Sequence, residues 1–220
     1  MKTALLSVLY FVIGAGYIVL ESHIPCQYAV LNKGMIVPVL LIILVINLKQ
    51  NFDRLSWLML AGLIFSCAGD IILNFSFVPG LVCFLMAHVM YLLTFWMTPG
   101  ENVIVGRKLY LLLIVILYGI GLVYFLYDDL AEMKIPVIIY ATVILSMLSL
   151  AINRLGKVNK TSYLLVLCGA VLFVLSDSTL AINRFSLPFR SSDIVIMSTY
   201  IIAQYLITTG FIRQYRENFV

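Results

Sequence analysis

Eight runs of hydrocarbon side chains follow one another along this chain, at about 4–21, 34–48, 56–75, 80–98, 108–127, 134–152, 163–182 and 193–212. The loops between them are too short to hold a soluble domain. Lipid offers a peptide group no hydrogen-bond partner, so each run must close its backbone bonds within itself, as a helix. Roughly 20 apolar residues span a hydrocarbon core about 30 Å thick. The second run is short for that distance and is expected to tilt little or to begin as a re-entrant turn. The weak alternation of a transmembrane barrel is missing. The fold class this predicts is all-α and polytopic, with eight transmembrane helices forming a single integral membrane domain over residues 1–220. Pro25, Pro79, Pro99 and Pro188 fall in or beside the loops, as helix punctuation should. Pro38 and Pro136 are expected near helix starts, where a missing N–H matters least. The first run follows Lys2 without a convincing A-x-A site and is read as a membrane helix rather than a signal peptide.

Composition narrows the function. The 220 residues are 63% hydrophobic and only 11% charged, where soluble chains carry about 25% charged residues. A formal net charge of +4 suits a leaflet of anionic lipid, and no nucleic-acid partner is expected from it. Cys26, Cys67, Cys83 and Cys168 form no C-x-x-C pair and three of them lie in apolar runs, so they are read as small buried hydrophobes. Two histidines, His23 and His88, are too few for a His-rich zinc site, and neither a metal nor another cofactor is expected. The basic residues set the orientation. Lys2, Lys49, Arg54, Arg107, Lys108, Arg154, Lys157, Lys160, Arg213 and Arg216 lie on the side of both termini, against Lys33, Lys134, Arg184 and Arg190 on the other. The termini are therefore expected in the cytoplasm.

Two residues break the apolar pattern most sharply. Asp70 lies within LMLAGLIFSCAGDIILNF and Asp177 within YLLVLCGAVLFVLSDSTLAI. A carboxylate in a bilayer costs several kcal/mol unless it faces a polar cavity or a partner. Fourteen residue steps separate Ser56 from Asp70 and Tyr163 from Asp177, which places both roughly 21 Å above the cytoplasmic edge. Counted from the opposite face, His88, Tyr200 and Gln204 fall in the middle or outer half of the core, with Lys33 and Glu21 at its mouth. One polar pocket opening away from the cytoplasm would gather them all.

The stretches around the aspartates also resemble each other. F-S-C-A-G-D-x-x-L-N-F in the third run is echoed by V-L-S-D-x-x-L-A-I-N-R-F in the seventh. Two parallel four-helix repeats would set the aspartates face to face across an axis along the membrane normal, although likeness this short also arises by chance. Ser66, Asp70 and Asn74 share a helix face, and Gly62 extends it with small-residue spacing. His88 pairs with Tyr91 on the fourth helix, and Tyr200 with Gln204 and Thr208 on the eighth. Ordinary interhelical bonding accounts for Ser66, Ser176, Thr208, Thr142, Ser146 and Ser149. Tyr91, Gln204 and His88 are open to either that reading or a part in the site. Lys33 and Arg184 either snorkel or meet a lipid phosphate.

Five motifs in order carry a resemblance: L-N-K-G-M-x-V-P, S-x-x-G-D-x-x-L-N, G-L-x-x-F-x-x-A-H-x-x-Y, L-S-D-x-x-L-A and M-x-T-Y-x-x-A-Q, spanning Lys33 to Gln204. Together they resemble the YhhN-like family, whose animal relatives include lysoplasmalogenase. The resemblance implies an eight-helix membrane hydrolase acting on the vinyl ether bond of a lysophospholipid. The products would be a fatty aldehyde and a glycerophospho-base. The family's polar positions fall on Lys33, Asp70, Asn74, His88, Tyr91, Asp177, Tyr200 and Gln204. The chemistry needs a protonated carboxylic acid and a second, ionised carboxylate, the division that paired aspartates make. Asp70 is cast as acid and Asp177 as base or cation stabiliser, with the reverse assignment as the alternative. His88 would orient water, Lys33 would meet the phosphate, and Asn74, Tyr91, Tyr200 and Gln204 would line the substrate. The expected partners are that lysophospholipid and membrane lipids, and the expected location is a bacterial inner membrane. A small proton-coupled transporter, or a lipid-binding membrane protein, uses the same features.

Overall fold

The computed structural model describes residues 2–20, 26–49, 52–100 and 109–216, without the side chains of residues 20, 26–32 and 216. Within them the chain forms eight long helices: α1 Lys2–Leu20, α2 Cys26–Leu48, α3 Arg54–Ile72, α4 Phe77–Trp96, α5 Leu109–Leu126, α6 Lys134–Ile152, α7 Lys160–Phe185 and α8 Ser192–Arg216. Seven are long and apolar enough to cross a membrane, and α2 contributes a shorter apolar stretch, Lys33–Leu48. Glu21, His23, Pro25, Arg107 and Lys108 lie outside the described residues. Ile36, Leu40, Leu44, Met59, Leu63, Phe173 and Phe211 are among the side chains that fill the core. Leu5, Trp57, Leu117, Ile120 and Tyr124 point outward. An apolar outer surface would be a liability in water; in lipid it is the solvated face.

Helix α3 packs along α4 and α7 along α8, the two most intimate pairs, while α2 joins α3 and α6 joins α7. Helix α1 lies on α2 and α5 on α6. The halves meet where α4 touches α6 and where α2 touches α8. Exchanging the first four helices for the last four turns every one of these contacts into another of the set, the pattern of two parallel repeats. Local chemistry repeats as well. Asp53 caps α3 by accepting the Ser56 N–H (2.9 Å), and Asn159 caps α7 by accepting the Ser162 N–H (2.7 Å). Both bonds satisfy donors that a helix start leaves open. The symmetry stops at the margins: α1 also packs on α8, whereas α5 stays peripheral, with α6 as its main neighbour and a light touch on α7.

Glycine makes the close pairs possible. A side chain on Gly169 of α7 would stand 2.9 Å from the Ala203 carbonyl oxygen and 3.0 Å from the Ile207 nitrogen of α8. The two backbones therefore touch, as small residues allow in membrane helices. On α3, the space a Gly62 side chain would occupy belongs to the ring of Tyr91.

Helix α2 differs from expectation. It begins at Cys26 rather than near residue 34, so Pro38 lies inside it. Proline supplies no N–H to the carbonyl four residues back, which here belongs to Gly34. The Cys67 thiol of α3 donates to that oxygen at 3.7 Å, the kind of rescue a neighbouring helix gives in a membrane. Cys67 is thus a hydrogen-bond donor as well as a packed side chain, and Cys168 is exposed on the outer face rather than buried. Asn74 also departs from its expected helix face. Helix α3 ends at Ile72, and the Asn74 amide folds back onto the carbonyls of Asp70 (2.5 Å) and Ile71 (3.2 Å). At the far end of the bundle, buried Arg154 ties the α6–α7 turn to α8 through Gln214 (2.8 Å) and to the first turn of α7 through Ser162 (3.2 Å).

Candidate active site

Helices α3 and α7 both deliver a carboxylate near the end of the bundle where α4 and α8 begin. There Asp70 and Asp177 line one cavity of about 200 Å³, in whose wall Lys33, Asn74, Tyr200 and Asp193 also stand. Lys33 is 8% exposed, its side chain held in from α2. One lysine and three aspartates thus share one hollow, with Phe84, Leu73 and Met197 as apolar lining.

The two carboxylates have different surroundings. Asp70 is 1% exposed and accepts the Tyr200 hydroxyl at 2.8 Å through Oδ2. Its Oδ1 is buried and has no hydrogen-bond partner among the described residues. Behind Tyr200 runs a buried network. Gln204 Nε2 donates to the hydroxyls of Ser66 (2.9 Å) and Tyr200 (3.3 Å), and Tyr91 donates to Gln204 Oε1 (2.9 Å). A chain of this kind fixes the direction of each hydroxyl, because the amide has only one acceptor end. Asp177 instead accepts the Tyr140 hydroxyl of α6 at 2.6 Å. His88 Nε2 lies 3.7 Å from the same oxygen, outside hydrogen-bond length. Neither ring nitrogen of His88 makes a well-formed hydrogen bond among the described residues, the Phe84 backbone one turn back giving it only a weak one. An unpaired polar atom in such a place carries the full cost of its lost hydration.

A row of edge-to-face rings joins the two sides. Phe84 meets Tyr200 (5.8 Å between centroids), Tyr200 meets Phe173 (5.5 Å), Phe173 meets His88 (4.5 Å) and His88 meets Tyr140 (5.4 Å). These contacts follow the geometry that aromatic quadrupoles favour. They form a stiff floor on which the partners of both carboxylates rest.

Of the residues singled out from sequence, Lys33, Asp70, Asn74, Asp177 and Tyr200 stand in the cavity wall. His88 lies against Asp177, and Tyr91 and Gln204 stand behind Tyr200. Ser176 also reaches the cavity, while its hydroxyl donates to the Ile196 carbonyl (2.9 Å). Thr142, Ser146 and Ser149 turn their hydroxyls back to carbonyls of their own helix rather than across to a neighbour. Tyr140 and Asp193 were not singled out. Tyr140 lies six residues inside the start of α6 with its ring against that of His88, a contact that an apolar run does not announce. His88 and Asp177 are the paired donors a metal would find here, short of the three protein ligands of a catalytic zinc. No group of three or more such residues occurs among the described residues.

Comparison with known proteins adds a second line. Residues 28–211 match the YhhN family. The chain is 33% identical over 158 residues to human lysoplasmalogenase TMEM86B (Homo sapiens), covering 71% of this chain and 64% of that one. It is 34% identical over 155 residues to cattle lysoplasmalogenase TMEM86A (Bos taurus), covering 66% and 61%. It is 32% identical over 173 residues to pig lysoplasmalogenase TMEM86B (Sus scrofa), covering 78% and 70%. The stretch matched spans just under two thirds of the first two relatives. No solved structure matches the chain.

Proposed function

The chain belongs to the YhhN family, and from that membership we propose that it is a membrane hydrolase cleaving the vinyl ether bond of a lysoplasmalogen. Water is consumed, and a fatty aldehyde and a glycerophospho-base are released. The observation that carries the reading is the meeting of Asp70, Asp177 and Lys33 in one cavity of about 200 Å³, in a chain resembling curated lysoplasmalogenases. We place the protein in a bacterial inner membrane with the cavity facing away from the cytoplasm, in keeping with the distribution of basic loop residues.

The chemistry starts with a proton. A carboxylic acid protonates the β-carbon of the vinyl ether, and the electron pair of the double bond forms the new C–H bond. The carbon bearing the ether oxygen is then an oxocarbenium ion. An ionised carboxylate opposite that carbon stabilises the cation and takes a proton from the attacking water. The resulting hemiacetal collapses to aldehyde and alcohol, its hydroxyl proton passing to the departing oxygen. Asp70 and Asp177 fill these two roles, with Asp70 as acid. Tyr200 and Tyr140 each hold one carboxylate by a hydroxyl bond, and His88 orients the water beside Asp177. The ring face of Tyr200, in the cavity wall, offers a developing cation an electron-rich surface. Lys33 takes the phosphate. General acid–base catalysis of this kind supplies roughly 10²–10⁴-fold, and preorganised charge in a dry pocket supplies the remainder.

The test is aldehyde release from a lysoplasmalogen by purified protein in detergent, where no gradient exists. We expect turnover in the unmodified protein, and a loss of at least a hundredfold in Asp70→Asn and in Asp177→Asn with the melting temperature kept. Near-normal turnover in either variant removes that residue from the mechanism. A protein that releases no aldehyde, yet takes up substrate into vesicles only under a proton gradient, would be a carrier.

A further inference from the structure

Asp177 stands at a junction. Besides the polar cavity, it lines a narrow passage of about 40 Å³ together with Tyr140, Ala141 and Leu145. That passage shares Val123, Ala141 and Leu145 with a far larger groove of about 590 Å³ between α5 and α6. The groove falls within the range of about 300–1,000 Å³ usual for small-molecule sites. Its wall runs from Ile138 to Ser149 along α6, eleven residue steps or roughly 16 Å. Polar cavity, small passage and apolar groove therefore lie side by side, Asp177 walling the first two and Val123, Ala141 and Leu145 the last two.

We propose that the α5–α6 groove holds the single hydrocarbon chain of the lipid substrate, admitted sideways from the bilayer, with Ala141 and Leu145 forming the throat that threads it to Asp177. This rests on the hydrolase reading and adds to it where the chain lies. Three observations carry it. The first is shared walls, which make the groove part of the candidate site rather than a separate dent in the surface. The second is the state of the groove's hydroxyls. Thr142, Ser146 and Ser149 donate to the carbonyls of Ile138, Thr142 and Leu145 at 2.7–2.8 Å, so their protons are already committed and a methylene chain meets no unsatisfied donor. The third is the loose seat of α5. Only Val115, Gly119 and Leu126 of this helix are buried, and one hydroxyl bond, Tyr118 to Ser178 (2.7 Å), reaches from it to α7.

The width of the throat sets what passes. The throat's volume of about 40 Å³ is a small fraction of the groove's 590 Å³, and it is assigned the single chain of a lysolipid. A chain leaving the bilayer for the groove exchanges one apolar surrounding for another, so no hydrophobic gain draws it in. Selection here is by shape: the head group provides the attraction and the throat decides which chain can follow it.

The experiment is photolabelling of the full chain, purified in detergent, with a saturated lysophosphoethanolamine that carries a diazirine at the chain terminus. Such a lipid has no vinyl ether and is not cleaved. Labelling is expected on α5 and α6 within residues 112–149, and it should fall at least fivefold under excess unlabelled lysolipid. Ala141→Phe should abolish that competable labelling. Label that is not competed, or that lies on other helices, overturns the proposal. Leu145→Ala, which can only widen the throat, gives a second reading. With vinyl ether substrates the ratio of kcat/KM for long chains to that for short chains should fall at least tenfold in Ala141→Phe and rise in Leu145→Ala. An unchanged ratio in both variants also overturns it. If the unmodified protein hydrolyses no vinyl ether but the groove is labelled competably, the hydrolase reading fails and the chain site stands.

Discussion

Asp177 and Asp70 differ in what holds them, and that difference can be measured. Asp177 takes a hydroxyl bond of 2.6 Å from Tyr140, whereas Asp70 takes one of 2.8 Å from Tyr200, itself braced by Gln204. A hydrogen bond to a charged group contributes about 1.5–3 kcal/mol, which corresponds to roughly 10–100-fold in rate if it is strengthened in the transition state. Tyr140→Phe should therefore lower kcat by about that factor and leave KM within twofold, since the hydroxyl bonds the carboxylate and not the lipid. A matched rise in KM with kcat unchanged would make Tyr140 a substrate contact instead. Both aspartates were legible from sequence because a carboxylate among hydrocarbon stands out and helical rise gives its depth. Tyr140 was not, since a tyrosine in an apolar run looks the same whether its hydroxyl meets lipid head groups or a buried acid.

At the scale of the helix, two devices set the position of the site. The first is the contact of α7 on α8 at Gly169. A valine there would place its Cβ within 2.9 Å of the Ala203 carbonyl, and overpacking of this sort costs about 1–3 kcal/mol. Gly169→Val should lower the melting temperature in detergent and reduce turnover by displacing Asp177, two helical turns away. Gly16→Ala, whose added Cβ would meet nothing within 4 Å, should change neither. The second device is the cap of α3. Partial burial pushes the Asp53 carboxyl up, but bonds from the Ser56 N–H, the Ser56 hydroxyl and Tyr215 outweigh it and hold the group below the usual carboxylate range. A depressed value in the fold means a stabilisation present above the unfolded-state value of about 3.9 and lost as pH falls through the folded one. Asp53→Ala should cost about 1 kcal/mol at neutral pH. Asp53→Asn keeps the cap and should flatten the loss of stability below pH 4, read from melting curves across that range. An unchanged acid limb in Asp53→Asn would mean that the carboxyl plays no part in it. Helix number and order could be read from hydropathy alone. The start of α2 could not, because Gln27, Asn32 and Lys33 break the apolar run while the helix continues through them. The end of α3 was hidden by the apolar residues after Ile72, and only the fold-back of Asn74 marks it.

The whole molecule is arranged as two like halves with unlike margins. The motif likeness around the aspartates suggested a repeat, and the pattern of helix contacts has the same exchange symmetry. What sequence could not reveal was the asymmetry, since it lies in how α1 and α5 dock and not in what they are made of. Parallel halves require the α3–α4 and α7–α8 turns to lie on one side and the α6–α7 turn on the other. Single cysteines at Ser76 and Ser186, in a background without the four native cysteines, should react with an impermeant maleimide added outside whole cells. One at Gly156 should react only after the cells are opened. Any other pattern would break the two-half description and the placement of the cavity. On the proposed chemistry, the place of Asp177 would also govern the fate of the products. Under the proposed hydrolysis, a molecule severed beside that residue would be divided where polar cavity and apolar groove approach each other, so its halves would leave by separate exits: the aldehyde into the bilayer, and the glycerol fragment through the mouth. Neither must pass the other, and inhibition by the two products should be independent.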